Sequence, residues 1–269
     1  MPSLNLERVE KGKFVFFTSK ELFQKSDILI AFTTRLKGAS SPPYKSLNLA
    51  FHVGDKKERV IQNRKILCSV LNLDFPRLTA CEQVHGNNLV VVDKSLIGRG
   101  AFSHHNAISN TDALITNQTK VPLAIFCADC VPIIIVDPTK RIVSVVHAGW
   151  RGSYAEIAKK TVQMFVDKFH SLPQSLFSFI GPCIGDCCYR VDSTLAQEFE
   201  EKFALHLDTR QGESYLNLVE ININQLLKSG IKSGNIYCSN ICTSCDSDFF
   251  SHRRENGVTG RQSALVAVF

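Results

Sequence analysis

The chain has 269 residues, of which 44% are hydrophobic and 21% are charged, and its formal net charge is +6. This composition is sufficient to bury a sizeable core, as one large domain or as two small ones. The basic residues are scattered rather than massed in one run, which disfavours a nucleic-acid-binding protein but suits a phosphate-bearing small molecule. No apolar run approaches the roughly 18 residues of a membrane-spanning helix, so no membrane partner is expected.

The first third of the chain predicts strands at residues 14–17 and 28–34, with a short helix at 19–25 between them. Asp55 followed by Glu58 is typical of a helix start, and the apolar spacing that follows predicts a helix lying on a sheet. After Pro76, two strands are expected on either side of the turn QVHGNN, then a loop over residues 94–111. Asp112 opens the next strand, DALIT.

The central stretch from residue 121 to 152 contains the apolar, β-branched runs VPLAIF, VPIIIV and RIVSVVH. These runs predict three buried neighbouring strands, with a turn at residues 137–140 between the last two. Cys127, Asp129 and Cys130 follow the first run, and His147 ends the third. The segment AGWRG then leads into one amphipathic helix that continues to Phe169.

The C-terminal third predicts a strand at SLFSFIGP and a loop at GPCIGDCCYRVD. Thr194 and Gln197 are expected to cap a helix that runs to Leu207, and a second helix is expected from Tyr215 to Lys228. NIYCSNICT and the apolar end of the chain predict two further strands. Strands with about four or five interspersed helices indicate an α/β or α+β fold.

The N-terminal residues lack the apolar segment of a signal peptide, so we expect a cytoplasmic protein. The ten cysteines are then expected to be reduced thiols without structural disulfides. Cys187 and Cys188 are adjacent, and a disulfide between them would be strained, so packing or lining the pocket is the preferred interpretation. Residues 127–130 and 242–245 are both CxxC pairs, and they are too far apart in sequence for a zinc ribbon.

Three potential ligands follow strands of this pattern: His85 in QVHG, Cys130 and His147. Their separations of 45 and 17 residues are not those of a zinc finger. Three protein ligands would leave one position of a zinc ion open. The alternative is a buried core cysteine and two histidines with ordinary hydrogen bonds. Arg253, Arg254 and Arg261 would form either an anion clamp or ordinary surface salt bridges.

Several motifs occur together and in order: FTTRLKG, PPYKSLNLAFHVGD, QVHG, DALIT, ADC, HAGWRG, GPCIGDCCYRVD and FFSHRRENGVTGRQSAL. Their combination resembles the YfiH-type family, also called the laccase-domain or multicopper polyphenol oxidase-like family. The resemblance implies one domain spanning residues 1–269, folded as an α/β/β/α sandwich of two mixed β-sheets with helices outside. It also implies a zinc site formed by His85, Cys130 and His147.

The resemblance implies an enzyme of purine nucleosides, which would phosphorolyse adenosine, inosine, guanosine and methylthioadenosine and deaminate adenosine. Zinc would lower the pKa of bound water to roughly 7. Asp129 is a candidate proton carrier, beside Cys130 and His147. The alternatives are a copper-dependent polyphenol oxidase, a metal-free hydrolase with Cys130 as nucleophile and His147 as base, and a peptidoglycan-editing factor. A site for several copper ions needs more histidine ligands than one His, Cys, His set provides. The eight histidines of the chain form no HxH pair, which argues against such a site.

Phosphorolysis requires positive charge or N–H donors beside the ribose, whereas deamination of the purine ring does not. The residues expected to bind nucleoside and phosphate are Arg35, Gln83, Arg151, Arg253, Arg254 and Arg261. Arg151 also lies at an expected helix start, where backbone N–H groups add to its charge. The chain is expected to be a monomer or a homodimer.

Overall fold

A computed structural model describes residues 5–12, 14–204 and 207–269, with fifteen strands and six α-helices in these ranges. The strands are β1 (Glu7–Lys11), β2 (Phe14–Thr18), β3 (Ile28–Thr33), β4 (Thr79–Ala80), β5 (Leu89–Val91), β6 (Ala113–Thr116), β7 (Leu123–Cys127), β8 (Val131–Asp137), β9 (Ile142–Ala148), β10 (Phe177–Ile180), β11 (Arg190–Val191), β12 (Asp208–Arg210), β13 (Glu213–Tyr215), β14 (Ile236–Cys238) and β15 (Gln262–Val268). The helices are α1 (Lys20–Ser26), α2 (Lys57–Val70), α3 (Trp150–Tyr154), α4 (Ile157–Phe169), α5 (Ser193–Phe203) and α6 (Leu218–Lys228).

Two six-stranded sheets form the centre of the fold. The first has the order β1-β2-β3-β15-β7-β4, and the second has the order β14-β10-β8-β9-β6-β5. Both are mixed, because β4 pairs parallel to β7 while β5 pairs parallel to β6 and β10 to β14. Strands β11, β13 and β12 form a small third sheet. The expected architecture of two mixed sheets with helices outside is therefore confirmed.

Buried side chains fill three layers of this sandwich. Ile30 and Ile125 of the first sheet pack against Ile134 and Val145 of the second in the layer between the sheets. The outer face of the first sheet packs on α2, and that of the second sheet packs on α3 to α6. Both faces of the central strands are buried, which explains why their sequences are continuously apolar instead of alternating.

The pairing of the central strands differs from the sequence-based expectation. β8 and β9 are antiparallel neighbours, as expected, but β7 lies in the other sheet between β15 and β4. The chain crosses from one sheet to the other through Asp129, whose φ is +90°. A strand buried on both faces has the same composition in either sheet, so the local pattern did not distinguish the two positions.

The turn QVHGNN is a second crossing between the sheets. β4 belongs to the first sheet and β5 to the second, so these strands are not partners. The side chain of Gln83 joins the two crossings, because its amide both donates to the carbonyl of Phe126 and accepts from its N–H, each at 2.8 Å. The two crossings and the end of β9 therefore meet at one edge of the sandwich.

Three helix predictions require correction. The helix expected after AGWRG is broken into α3 and α4, because Glu156 adopts a left-handed conformation with φ +56°. Helix α5 is capped by Asp192 rather than Thr194 and ends at Phe203, and the expected extension to Leu207 passes through residues outside the described ranges. Helix α6 begins at Leu218 after an Asn217 cap, since residues 213–215 form a strand. Helices α1 and α2 are confirmed.

Among the described residues, no helix has the length and apolar character needed to cross a bilayer.

Candidate metal centre and active-site cavity

The structure brings His85, Cys130 and His147 together, and we call these three residues the His/Cys/His cluster. One ligand atom from each lies within 4.8 Å of the other two. His85 and Cys130 come from the two crossings between the sheets, and His147 lies near the end of β9. A side chain at Gly149 would place its Cβ 3.0 Å from the His85 ring and 3.1 Å from Cys130 Sγ, so any larger residue there would press on two members of the cluster.

Asp112 organises the cluster from the start of β6. Its fully buried carboxylate accepts hydrogen bonds from the backbone N–H groups of His85 at 3.0 Å, Gly86 at 2.8 Å and Val84 at 3.3 Å. The same group contacts Nδ1 of His147 at 2.9 Å. A carboxylate accepts, so Nδ1 carries the proton and Nε2 keeps its lone pair for a metal.

Asp112 was not predicted as a site residue from the sequence, although it opens the motif DALIT. The signal that could have found it is a carboxylate opening a strand that is otherwise apolar. A buried carboxylate in such a place requires several hydrogen-bond donors.

The charges of Cys130 and His147 are coupled. Burial alone would raise the pKa of Cys130, but the positive charge of His147 and hydrogen bonds from both histidines lower it to about 6. Burial alone would lower the pKa of His147, but Cys130 and Asp112 raise it to about 9. In the metal-free pair each charge therefore stabilises the other, and the thiolate that this favours is the form of cysteine that binds metals.

The donor set fits one soft or borderline metal ion. Two imidazoles and a thiolate are ligands of Zn²⁺ and of copper, and three ligands leave a position open. Within the part of the chain that the structure describes, the other group of convergent metal-ligating side chains consists of cysteines alone. That group cannot supply the further imidazoles expected of a multicopper site.

A cavity of about 410 Å³ opens beside the His/Cys/His cluster. This volume is within the usual range for small-molecule sites. The apolar and aromatic part of its lining comes from Phe126, Trp150, Tyr189, Ile184 and Leu218, and the polar part includes His52, Gln83, Asp129, Arg151, His252, Arg253 and Arg261. Seven of these residues were not predicted as binding residues from the sequence: His52, Phe126, Trp150, Ile184, Tyr189, Leu218 and His252.

The expected nucleoside- and phosphate-binding arginines divide into two groups. Arg151, Arg253 and Arg261 line the cavity, whereas Arg35 and Arg254 lie outside its lining. Arg35 forms an ion pair with Glu255, and Arg254 donates to backbone carbonyls of residues 243–249. Arg35 and Arg254 thus hold the C-terminal loop in place.

Two of the cavity arginines are also bound to the protein. Arg253 donates to the carbonyls of Cys188 and Arg190, and Arg261 donates to the carbonyls of residues 259 and 260. Arg151 lies over the ring of Trp150 at 4.4 Å, and its guanidinium makes no hydrogen bond or ion pair with the described residues. All five of its N–H donors remain available to a ligand.

Asp129 lies on the cavity wall with 8% of its surface exposed. One carboxylate oxygen accepts from the hydroxyl of Thr243 at 2.7 Å, and the other accepts from the backbone N–H of Arg253 at 2.7 Å. Each oxygen has a second lone pair. The carboxylate is therefore fixed in orientation and retains capacity to accept another hydrogen.

Known proteins resemble this chain over most of its length. The model of the family described as multi-copper polyphenol oxidoreductase laccase matches residues 29–268. The purine nucleoside phosphorylase YlmD of Geobacillus stearothermophilus is 40% identical over 240 residues, covering 87% of this chain and 88% of that protein. The purine nucleoside phosphorylase YlmD of Bacillus subtilis is 35% identical over 248 residues, covering 90% and 89%. The crystal structure of the Geobacillus stearothermophilus protein superposes with a TM-score of 0.91, at 36% identity and 99% coverage of both chains.

Proposed function

The chain belongs to the multi-copper polyphenol oxidoreductase laccase family, and within that family we propose that it is a zinc-dependent purine nucleoside phosphorylase that also deaminates adenosine. The proposed substrates are adenosine, inosine, guanosine and methylthioadenosine, with inorganic phosphate as co-substrate. One observation carries this proposal: a single cavity joins the His/Cys/His cluster, aromatic side chains and arginines. The names of the relatives, purine nucleoside phosphorylase, support the phosphorolysis.

The proposed zinc ligands are the three residues of the His/Cys/His cluster. When bound there, zinc would supply a Lewis acid with one position open, which suits attack on the purine ring. Asp112 would keep Nε2 of His147 free for the metal by holding the proton on Nδ1. The cluster has two imidazoles, so we prefer one zinc to the several copper ions of a laccase-like oxidase.

The aromatic side chains supply the surface for the purine base. Phe126, Trp150 and Tyr189 all line the cavity. A purine is flat and apolar on both faces, so it gains from burial against such rings, by roughly 0.5–1.5 kcal/mol beyond area burial for each well-placed pair. The base would then be held against this part of the lining, with its polar edge toward the His/Cys/His cluster.

Arg151 is the proposed phosphate anchor. It carries a full charge, lies in the cavity lining and has no competing acceptor among the described residues. Arg253 and Arg261 add positive charge from the C-terminal loop, although each already donates to backbone carbonyls. Guanidinium and phosphate match in geometry, and the contact is charge-assisted.

Asp129 is the proposed proton carrier. Its orientation is fixed by Thr243 and by the backbone of Arg253, and both oxygens retain a lone pair. From this position on the cavity wall the carboxylate could accept a proton from a hydroxyl or a water that enters the cavity.

The proposal is tested by incubating the protein with adenosine, inosine and methylthioadenosine, with and without phosphate, and identifying the products. We expect free base and ribose 1-phosphate (or its methylthio analogue) only with phosphate, and inosine from adenosine without it. Cys130→Ala should lose its zinc and both activities together. Oxidation of phenols with bound copper, or no change in any nucleoside, would contradict the proposal.

Arg151→Met separates the two reactions. Loss of a hydrogen bond to a charged group costs about 1.5–3 kcal/mol, or roughly one to two decades in rate. Phosphate-dependent cleavage of inosine should fall at least about tenfold, while deamination of adenosine stays within a few-fold. Arg59→Met on α2 is the matched control and should leave both rates unchanged. A parallel loss of both activities in Arg151→Met would exclude a separate phosphate subsite.

A further inference from the structure

Four cysteines that do not line the active-site cavity converge at the protein surface, and we call them the four-cysteine cluster. The Sγ atoms of Cys187, Cys188, Cys242 and Cys245 all lie within 4.8 Å of one another. Cys245 Sγ is 3.4 Å from Cys188 Sγ and 3.7 Å from Cys187 Sγ. Cys187 and Cys245 are exposed, and the other two are half-buried.

Two loops from neighbouring strands provide these thiols. Cys187 and Cys188 follow β10, while Cys242 and Cys245 follow β14, which pairs parallel to β10. The loops are joined by backbone hydrogen bonds from Cys183 N–H to the carbonyl of residue 241 and from residue 243 N–H to the carbonyl of Cys183, at 3.2 and 2.9 Å. The N–H of Gly185 also donates to Cys242 Sγ at 3.3 Å. The fold itself therefore brings the four sulfurs together.

We propose that the four-cysteine cluster is a second metal site, which binds one structural Zn²⁺ through four thiolates. Zn–S bonds of about 2.3 Å place two sulfurs of one ion no more than about 4.6 Å apart, and about 3.8 Å apart in a tetrahedron. The distances of 3.4 and 3.7 Å from Cys245 Sγ lie close to the tetrahedral value, and the limit of 4.8 Å on every pair favours one ion over a larger iron–sulfur cluster. The four thiols release their protons to solvent as the metal binds.

All four coordination positions would be filled by protein, so this zinc would be structural and not catalytic. A disulfide is a poorer explanation of the same geometry. It would join only two sulfurs, it would require an oxidant, and between Cys187 and Cys188 it would be strained. Convergence of all four sulfurs is what a tetrahedral site for a soft-ligand metal requires.

The four-cysteine cluster lies directly behind one wall of the active-site cavity. Tyr189, which follows Cys188, lines the cavity, and Arg253 donates to the carbonyl of Cys188 at 3.1 Å. Thr243, which follows Cys242, donates to Asp129. A zinc ion here would tie together the two loops that hold Tyr189, Arg253 and Asp129. Its presence does not depend on which reaction the cavity performs.

Metal analysis of purified protein tests the proposal. With two independent sites we expect about two zinc ions per chain in the parent, about one in Cys245→Ser, about one in Cys130→Ala, and none in the double variant. Cys238→Ser is the matched control, since Cys238 is half-buried on β14 outside the four-cysteine cluster. It should retain both ions. Equal zinc content in the parent and in Cys245→Ser would overturn the proposal, as would iron in place of zinc.

A measurement on the unmodified protein keeps the proposal testable if a variant folds poorly. Removing zinc from the native parent with a chelator should expose about five additional reactive thiols, four from the four-cysteine cluster and one from Cys130. Cobalt added to Cys130→Ala should give the intense thiolate-to-metal absorption of a sulfur-only site. A gain of one thiol, or a total below ten in the unfolded chelated protein because of disulfides, would refute the second site.

Discussion

Asp112→Asn is the substitution that most directly tests how the His/Cys/His cluster is organised. The change keeps the size of the side chain and replaces one carboxylate oxygen with an NH₂ group. In the parent, one oxygen accepts from His85 N–H and faces His147 Nδ1, while the other accepts from the N–H groups of Val84 and Gly86. An amide cannot satisfy both sets of partners.

Either orientation of the asparagine amide is unfavourable. If its nitrogen faces Val84 and Gly86, two backbone N–H groups lose their acceptor, at about 1.5–3 kcal/mol each for bonds to a charged group, or about 3–6 kcal/mol in total. If its nitrogen faces His147, it donates to Nδ1 and shifts the histidine proton to Nε2, where the metal would bind. Loss of such a partner typically lowers metal affinity by about 10–100-fold.

Two measurements separate these effects. Urea denaturation of the metal-free protein gives the change in the free energy of unfolding. Zinc titration in a Cys245→Ser background gives the affinity of the His/Cys/His cluster alone. The control is Asp137→Asn, a buried carboxylate at the far end of β8 that accepts one N–H, from Lys140 at 3.0 Å. Asparagine can accept that bond through its remaining oxygen, so we expect a loss below about 1 kcal/mol and unchanged zinc affinity.

Either of two results would contradict this role of Asp112. One is an Asp112→Asn protein whose stability lies within about 1 kcal/mol of the parent and whose zinc affinity lies within about threefold. The other is an equal loss in Asp137→Asn, which would show that any buried carboxylate in this fold has the same effect.

Three further predictions concern metal, pH and stability. Alanine at any residue of the His/Cys/His cluster should remove both the zinc of that cluster and the enzymatic activity. Cys127→Ala should keep both, because Cys127 is buried in β7 outside the cluster. If Cys127→Ala lost the zinc while Cys130→Ala retained it, the ligand would be Cys127 instead. In the metal-free protein, the rate of alkylation of Cys130 should rise with pH with a midpoint near pH 6. The reason is that Cys130, with a pKa of about 6, is a thiolate above that pH and a thiol below it. A midpoint near the ordinary pKa of a thiol would contradict the pairing of Cys130 with His147. Arg64→Met removes the hydrogen-bond donor to three buried backbone carbonyls and should lower the free energy of unfolding by about 2–4 kcal/mol. Lys65→Met, at an exposed neighbouring position, should change it by less than about 0.5 kcal/mol. Equal effects of the two substitutions in urea denaturation would refute the stabilising role of Arg64.

Several features of the protein were determined by the sequence alone. Short, continuous, β-branched runs predicted the strands β7, β8 and β9, because this length and composition are typical of strands buried on both faces. The residues of the His/Cys/His cluster, separated by up to 62 positions, were implied by the motifs QVHG, ADC and HAGW through their resemblance to a family. Their local spacing carries no such information, since each ligand belongs to a different element.

Other features were decided only by the tertiary structure. β7 belongs to the first sheet because it pairs with β15. The paired residues Cys127 and Gln262 are 135 positions apart in sequence, and no local periodicity encodes such a distant partner. Arg151 and Arg254 look alike in sequence, yet one faces the cavity while the other binds backbone carbonyls. The four-cysteine cluster likewise exists only because β10 and β14 are parallel neighbours, which brings two distant loops to the same edge. Hydrogen-bond partners and ligand sets of this kind depend on contacts between distant segments. The local pattern predicts the individual strands and helices, whereas burial and long-range strand pairing determine which of them come into contact.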